Sequence, residues 1–307
     1  MSVFDRALVR ALPLLPRRAV RSVASPYIAG EGIEDACATV AALNEGGKLA
    51  TVDVLGEEIA SAEEAKELTA AYLDVFEALA RRGLDANVSV KPTGLGLKLD
   101  YDLCRANVEA LVQRAEADGS FVRIDMEDSS TTDATLDLYR ELRGQGHDRV
   151  GVVLQARLRR SLDDIAALAP LEPNVRLCKG IYLEPGELAH TDFRAIQAAY
   201  VRCAEALVDA GATVAFATHD DALIAEAKRL VARRGLARDR YEFQMLLGVR
   251  SSAADTLVRE GHRVRIYVPF GERWYEYSLR RLQENPRIAT YVAADTVKRV
   301  AVPGGRR

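Results

Sequence analysis

Cysteine and histidine are scarce in this chain and widely spaced. The 307 residues contain four of each, and neither a C-x-x-C pair nor an H-E-x-x-H pattern occurs. A disulfide framework and a zinc site are therefore not expected. We predict reduced thiols in a cytoplasmic protein, and no bound metal.

The chain also lacks an excess of positive charge and a long hydrophobic run. The 42 lysines and arginines are balanced by 45 acidic residues, so the formal net charge of −3 gives no reason to expect a nucleic-acid partner. No segment approaches the roughly 18 apolar residues of a transmembrane helix, and the apolar run at 11–16 is too short for a signal peptide. The arginine-rich stretch around it predicts either a helix docked on the main domain or an amphipathic helix touching the inner face of the membrane.

A glycine-rich nucleotide loop is missing as well. No G-x-G-x-x-G and no P-loop lysine follows the first predicted strand, which leaves a doubly wound sheet as the runner-up fold. From residue 48 onward, short apolar runs alternate with helical patterns. The predicted strands are Leu49–Val54, Val88–Lys91, Phe121–Asp125, Val150–Gln155, Val175–Cys178, Thr213–Ala217, Tyr241–Leu246 and Arg263–Val268.

Helical patterns fill the intervals between these strands. The first is Ser61–Arg82, which opens with Ser61 and Glu64 at capping-box spacing. The others are 102–118, 131–144, 161–168, 191–210, 220–234, 251–260 and 273–284. Eight such units, with strands that read as near-continuous apolar runs, predict an α/β fold of the closed (β/α)8 TIM type. That barrel needs about 250 residues, so we expect an N-terminal helical extension over 1–47, the barrel over 48–290 and a tail over 291–307.

Polar or ionisable side chains stand at the carboxyl end of every predicted strand. Active sites of such barrels lie at the carboxyl ends of the strands, so we expect these side chains to form one ligand site. They are Glu57, Lys91, Asp125, Glu127, Asp128, Gln155, Arg157, Arg176, Lys179, Thr218, His219, Asp220, Gln244 and Tyr267. The cations of this set and of the following helix are too many for one carboxylate. They indicate an anionic cofactor together with a small anionic substrate.

The predicted helix over 273–284 carries an aromatic and charged face. Tyr277 lies three residues before Arg280, and Glu284 lies four residues after it, so the three share one face. With the adjacent Arg281, this face could hold a small carboxylate, because a guanidinium fork matches carboxylate geometry. A solvated helix with a surface ion pair is the alternative for this segment taken alone.

Eight motifs in order carry a resemblance to a known family. They are VDVLGE at 52–57, SVKP at 89–92, RIDMEDS at 123–129, LQA at 154–156, RLCKGIY at 176–182, ATHD at 217–220, EFQML at 242–246 and the segment 265–286. Over residues 48–286 the chain resembles proline dehydrogenase of the stand-alone bacterial type. Single motifs are only moderately specific, but eight in series with matching spacing are highly specific.

The resemblance implies a fold, a reaction and partners. It implies a distorted (β/α)8 barrel that binds FAD and oxidises L-proline to Δ1-pyrroline-5-carboxylate, the first step of proline catabolism. Hydride would pass from proline C5 to FAD N5, and electrons would then pass to a membrane quinone. A separate pyrroline-5-carboxylate dehydrogenase would act downstream.

The resemblance also implies roles for particular residues. Asp125 and Arg176 would act in catalysis, and an ion pair between Glu57 and Arg280 would close the site over bound substrate. The implied substrate ligands are Lys91, Leu246, Tyr267, Tyr277, Arg280, Arg281 and Glu284. The implied flavin contacts are Met126, Gln155, Arg176, Lys179, Gly180, Ile181, Thr218 and His219.

Two other functions fit the same residues. A barrel aldolase could use Lys91 or Lys179 as a Schiff-base nucleophile. A non-catalytic regulator could bind a flavin or an amino acid without turnover.

Overall fold

In the computed structural model, residues 25–56 and 59–275 are described. Their elements follow one another as α1 (Ile33–Glu45), β1 (Leu49–Val54), α2 (Ala62–Arg81), β2 (Ala86–Val90), α3 (Tyr101–Ala117), β3 (Val122–Ile124), α4 (Thr132–Gly144), β4 (Val150–Gln155), α5 (Ser161–Leu168), β5 (Asn174–Cys178), α6 (Phe193–Asp209), β6 (Thr213–Ala217), α7 (Asp221–Arg234), β7 (Tyr241–Leu246), α8 (Ser251–Arg259) and β8 (Val264–Phe270). Short 3₁₀ turns lie at Ser25–Tyr27, Pro92–Leu95, Ser129–Thr131 and Ala169–Leu171.

The eight strands are parallel and form a closed barrel in chain order. Closure comes from β1 and β8, which pair over six residues from Leu49 opposite Arg265 to Val54 opposite Phe270. The predicted TIM-type barrel is thus confirmed. The boundaries proposed for the extension, the barrel and the tail stay predictions, although Ala36, Cys37 and Val40 of α1 are buried in the same core as the strands.

The prediction of near-continuous apolar strands holds for β4, where Val152, Val153 and Leu154 all lie in the core, but it is wrong for other strands, which alternate. On β2, Val88 and Val90 belong to the apolar core, whereas Asn87 and Ser89 between them are buried polar residues. A strand turns successive side chains to opposite faces. The apolar set packs against the helices, and the other set fills the barrel with polar and charged groups.

The last strand is longer than the sequence predicted. The predicted strand ended at Val268, but β8 continues through Pro269 to Phe270. Pairing with β7 ends at Tyr267, so the N–H that proline lacks is not needed on that side. The carbonyl of Pro269 still accepts a hydrogen bond from the Ala29 N–H at 2.9 Å.

The predicted start of α2 is confirmed. Ser61 precedes the helix, and its hydroxyl accepts a hydrogen bond from the Glu64 N–H at 3.2 Å. The Glu64 carboxylate in turn accepts from the Ala60 N–H at 2.8 Å. Among the described residues, no helix has the length and hydrophobicity that a membrane span requires.

Candidate active site

The polar interior of the barrel connects strands that are not neighbours. Tyr267 of β8 contacts Lys91 after β2 and Asp125 after β3, and Arg176 of β5 contacts Ser89 of β2. Contacts between such distant strands run through the barrel interior. The side chains predicted at the carboxyl ends of these strands therefore meet in one site.

Lys91 is held by a buried carboxylate that the sequence did not single out. Its ammonium lies 2.8 Å from Asp53, whose side chain is 0% exposed, but 3.9 Å from Asp125. The phenol of Tyr72, on α2, donates to the second oxygen of Asp53 at 3.0 Å. Burial, followed by the negative charge of Asp53, raises the pKa of Tyr72 well above its usual value, so the phenol remains a donor.

Arg176 is fixed by three side chains. Its Nε donates to the Gln244 amide oxygen at 2.5 Å, and one terminal nitrogen donates to Ser89 at 3.1 Å and to Asp125. The hydroxyl of Ser89 also donates to Asp125 at 2.8 Å. The other terminal nitrogen, Nη2, is buried and has no hydrogen-bond partner among the residues described. An unpaired buried donor costs about 1–3 kcal/mol unless a ligand satisfies it.

Tyr267 contacts both Lys91 and Arg176. Its hydroxyl accepts from Lys91 at 3.2 Å and donates to Asp125 at 3.3 Å. The guanidinium of Arg176 lies 5.4 Å from the centre of the Tyr267 ring. Leu246, the last residue of β7, pairs with Tyr267 in the sheet register and is half-buried. Lys91, Asp125, Arg176, Tyr267 and Leu246 therefore lie where one small ligand could touch them.

The backbone at Gly180, just after β5, packs closely against two neighbouring side chains. Its φ of +95° lies in the left-handed region, and a Cβ there would stand 2.7 Å from Arg157 Cδ and 2.9 Å from Gln155 Oε1. Gln155 donates to the Glu127 carbonyl at 2.7 Å, which fixes its amide. Met126 is buried beside Glu127, and Ile181 follows Gly180 with partial exposure.

His219 accepts a backbone hydrogen bond in this geometry. Its Nε2 accepts from the Leu246 N–H at 2.9 Å. Burial, then the charges of Lys179 and Arg250, lower the pKa of His219 to about 4. The neutral ring with Nε2 occupied therefore carries its proton on Nδ1.

Lys179 and Thr218 lie beside the end of β6. Lys179 is 3.4 Å from Asp220, which caps α7 and also accepts from Gln197 at 2.8 Å. The buried hydroxyl of Thr218 accepts from the Asp220 N–H at 3.2 Å. A chain of contacts thus runs along the rim from β4 to β7.

Five predicted site residues lie outside the described residues. They are Glu57, Tyr277, Arg280, Arg281 and Glu284. Sequence reasoning missed Asp53, Ser89 and Tyr72 as partners of the site. Asp53 and Ser89 could have been found from alternation, because each stands two residues from another polar residue of its strand. Over the described residues, no group of three or more His, Cys, Asp or Glu side chains could hold a metal ion.

Comparison with known proteins places this site in a family. Residues 36–294 match the family model described as proline dehydrogenase. The chain is 38% identical to "Proline dehydrogenase" of Deinococcus radiodurans over 288 residues, which is 92% of this chain and 93% of the relative. It is 37% identical to "Proline dehydrogenase 1" of Bacillus subtilis over 273 residues, covering 89% of this chain and 90% of the relative.

A solved structure has the same fold. It is proline utilization A (PutA) from Bdellovibrio bacteriovorus inactivated by N-propargylglycine, with a TM-score of 0.79 and 26% identity. The match covers 85% of this chain but only 32% of that longer one. The full-length matches to the shorter relatives, the family model and the shared barrel agree. The chain belongs to the proline dehydrogenase family and is an enzyme of its stand-alone bacterial type.

Proposed function

We propose that the chain oxidises L-proline to Δ1-pyrroline-5-carboxylate with FAD as its cofactor and a membrane quinone as the final electron acceptor. The observation that carries the proposal is Arg176. This buried guanidinium is held by three side chains, and its buried Nη2 has no hydrogen-bond partner among the described residues, so it can donate to a bound ligand. Family membership supplies the identity of that ligand as a flavin.

The substrate end of the site would be built around Lys91. Asp53 lies 2.8 Å from the Lys91 nitrogen and fixes its position, so that Lys91 can attract the proline carboxylate. Arg280, Arg281 and Glu284 are proposed to complete the carboxylate site. Tyr267, Leu246 and Tyr277 would wall the pyrrolidine ring, and Glu57 with Arg280 would form the gate. Holding the ring in one orientation lowers the entropic part of the barrier.

The residues of the rim fit a flavin. The unpaired Nη2 of Arg176 can donate to a polar ring edge, and the missing Cβ at Gly180 lets the backbone pack closely against Arg157 and Gln155 beside the site. His219 Nδ1 and Thr218 offer further polar contacts, and Lys179 offers charge for a phosphate. Met126 and Ile181 would supply apolar contact. When bound, FAD would supply N5 as the acceptor of the hydride from proline C5.

The chain's own contribution to the reaction is charge and position. Arg176 would stabilise negative charge that develops on the cofactor, with Asp125 fixing the guanidinium. His219 is not proposed as the base for the substrate amine. Its only basic nitrogen accepts from the Leu246 N–H, and its pKa of about 4 disfavours protonation.

The contacts of the two lysines count against the aldolase alternative. A Schiff-base nucleophile must be able to reach the carbonyl carbon of its substrate. Lys91 lies 2.8 Å from a fully buried carboxylate, and Lys179 lies 3.4 Å from Asp220. Each lysine nitrogen is therefore already engaged by a carboxylate.

A spectroscopic experiment tests the proposal. The purified protein should be yellow, should release FAD on denaturation, and should bleach when L-proline is added without oxygen. N-propargylglycine, which inactivated the Bdellovibrio relative, should do the same here. Borohydride trapping of substrate on a lysine would instead support the aldolase. A yellow protein that L-proline does not bleach would indicate the regulator, and a colourless one that releases no FAD would refute the flavin.

A further inference from the structure

A buried polar chain links Arg176 to the opposite end of the barrel. Arg176 Nε donates to Gln244 Oε1, and Gln244 Nε2 donates to Glu242 Oε1, each at 2.5 Å. Arg265 Nε then donates to both Glu242 oxygens, at 2.9 and 3.1 Å. All four residues are at most 9% exposed.

We propose that Glu242 is a positioning residue for Arg176, acting through the amide of Gln244. This inference rests on the proposed role of Arg176 beside the cofactor. Glu242 and Gln244 are two residues apart on β7, so both face the interior. Within the described residues, the hydrogen bonds of the Glu242 carboxylate go to Gln244 and Arg265, so its link to the active site runs through Gln244.

The direction of the hydrogen bonds requires the carboxylate. An amide has a donor side and an acceptor side, whereas an ionised carboxylate only accepts. Because Glu242 accepts, Gln244 must turn its nitrogen toward Glu242 and its oxygen toward Arg176. A flipped amide would face Glu242 with its oxygen and Arg176 with its N–H groups, and both contacts would be repulsive.

Glu242 is kept ionised by its neighbour. Burial alone would raise its pKa, but the charge and hydrogen bonds of Arg265, with smaller contributions from Gln244 and Arg123, bring the pKa below its usual value. Arg265 is itself anchored by a bond to the Ala50 carbonyl at 2.7 Å. The pair therefore provides a fixed acceptor beneath Gln244.

The surroundings of Glu242 offer a matched control. Glu242, Arg265 and Asp239 all line a cavity of about 460 Å³ at the amino ends of the strands. Asp239 belongs to the same cavity but not to the hydrogen-bonded chain. Asp239→Asn removes a carboxylate there without altering Gln244.

The test compares Glu242→Gln with Asp239→Asn in the FAD-loaded protein. A glutamine at position 242 has one acceptor oxygen instead of two, and the charged Arg265 competes for it, so the Gln244 amide is no longer fixed. We expect kcat with L-proline to fall about tenfold, as for one hydrogen bond to a charged group. The midpoint potential of the bound flavin should become more negative, KM should change little, and Asp239→Asn should match the parent.

A second variant tests the proposal even if Glu242→Gln does not fold. The double variant Glu242→Met, Arg265→Met removes both members of the ion pair, a change that often leaves stability unchanged. It should reproduce the lower kcat and the more negative midpoint potential of the bound flavin. If either variant is folded by thermal unfolding and keeps the parent's kcat and potential, the positioning role is wrong. If the parent protein holds FAD but does not oxidise proline, the proposed function is wrong. The midpoint potential of the bound flavin then still tests whether Glu242 acts on Arg176 through Gln244.

Discussion

At the carboxyl end of the barrel interior, Arg176 binds the side chains of Gln244, Ser89 and Asp125. At the amino end, Arg123 binds the carbonyls of Val152 and Asn174, at 3.0 and 2.7 Å, and the Asn174 amide oxygen. Both guanidiniums are buried, and both come from the middle of a strand. They differ in what holds them.

The difference separates stability from function. A guanidinium that binds backbone carbonyls ties strands together, so its loss should weaken the barrel. Burial, then the nearby Arg176, lowers the pKa of Arg123 to about 9, although the charge of Glu242 opposes this shift. Arg176 is held by side chains beside an acidic partner. Each arginine has one buried nitrogen without a hydrogen-bond partner among the described residues, the inner Nε of Arg123 and the terminal Nη2 of Arg176. We therefore expect Arg123 to serve the frame at one end and Arg176 to serve a ligand at the other.

The largest expected effect comes from Arg176→Lys. Lysine keeps the charge but loses the planar fork, so it cannot bind Gln244 and Asp125 while also donating to a ligand. We expect kcat with L-proline to fall about a hundredfold, the cost of one lost electrostatic donor in a catalytic site. Steady-state kinetics normalised to bound FAD measure this. A fall of less than threefold would place the function of the site elsewhere.

The matched change at the amino end is Arg123→Lys. Nη1 of Arg123 makes both carbonyl bonds and Nη2 makes the bond to the Asn174 amide oxygen. A lysine has one nitrogen on a shorter side chain and cannot keep all three bonds in place, so we expect the free energy of unfolding to fall by about 2 kcal/mol. Urea denaturation measures it. The kcat per bound flavin should stay within twofold of the parent. A large loss of kcat in a stable protein would show that the two ends are not separate in function.

The contrast between the ends was only partly visible in the sequence. Lys91, Asp125 and Arg176 were predicted because each stands at or near the carboxyl end of a strand. The pairing of Lys91 with Asp53 was not, because it depends on the approach of β1 to β2 and on Tyr72 reaching in from α2. Glu242 was read as part of an apolar strand, although the alternation of EFQML places it on the same face as Gln244.

Two glycines give a smaller test of the same contrast. At the carboxyl end, Gly180→Ala would place a Cβ against Arg157 and Gln155 at a φ of +95°. At the amino end, Gly151→Ala would place one 2.6 Å from the Asn174 carbonyl and against Arg123. We expect Gly180→Ala to weaken FAD binding about tenfold, roughly 1.4 kcal/mol, and Gly151→Ala to lower only the free energy of unfolding.

Fluorescence titration with FAD and urea denaturation separate the two outcomes. Gly186→Ala is the control, because a Cβ there meets no atom within 4 Å. Equal losses of FAD affinity in both variants would mean that strain spreads through the barrel. A specific role of Gly180 in FAD binding would then have no support.

The smallest expected effect is a pH dependence at the carboxyl end. The pKa of His219 is lowered to about 4 in the folded protein, by burial first, from an ordinary value of 6.5. The unfolded chain therefore binds a proton below pH 6.5 that the folded chain refuses, so this contribution to stability is complete above pH 6.5 and is lost as the pH falls toward 4. With the ring partly exposed, we expect roughly 1 kcal/mol between pH 6.5 and 4.5. Urea denaturation of the parent and His219→Gln isolates this loss, since other acid-sensitive groups are common to both and a glutamine oxygen can still accept from the Leu246 N–H. If the free energies of unfolding of the parent and of His219→Gln depend on pH in the same way, folding does not lower the pKa of His219. The ring would then be protonated in the folded protein at low pH and could not present a neutral Nδ1 donor to a ligand.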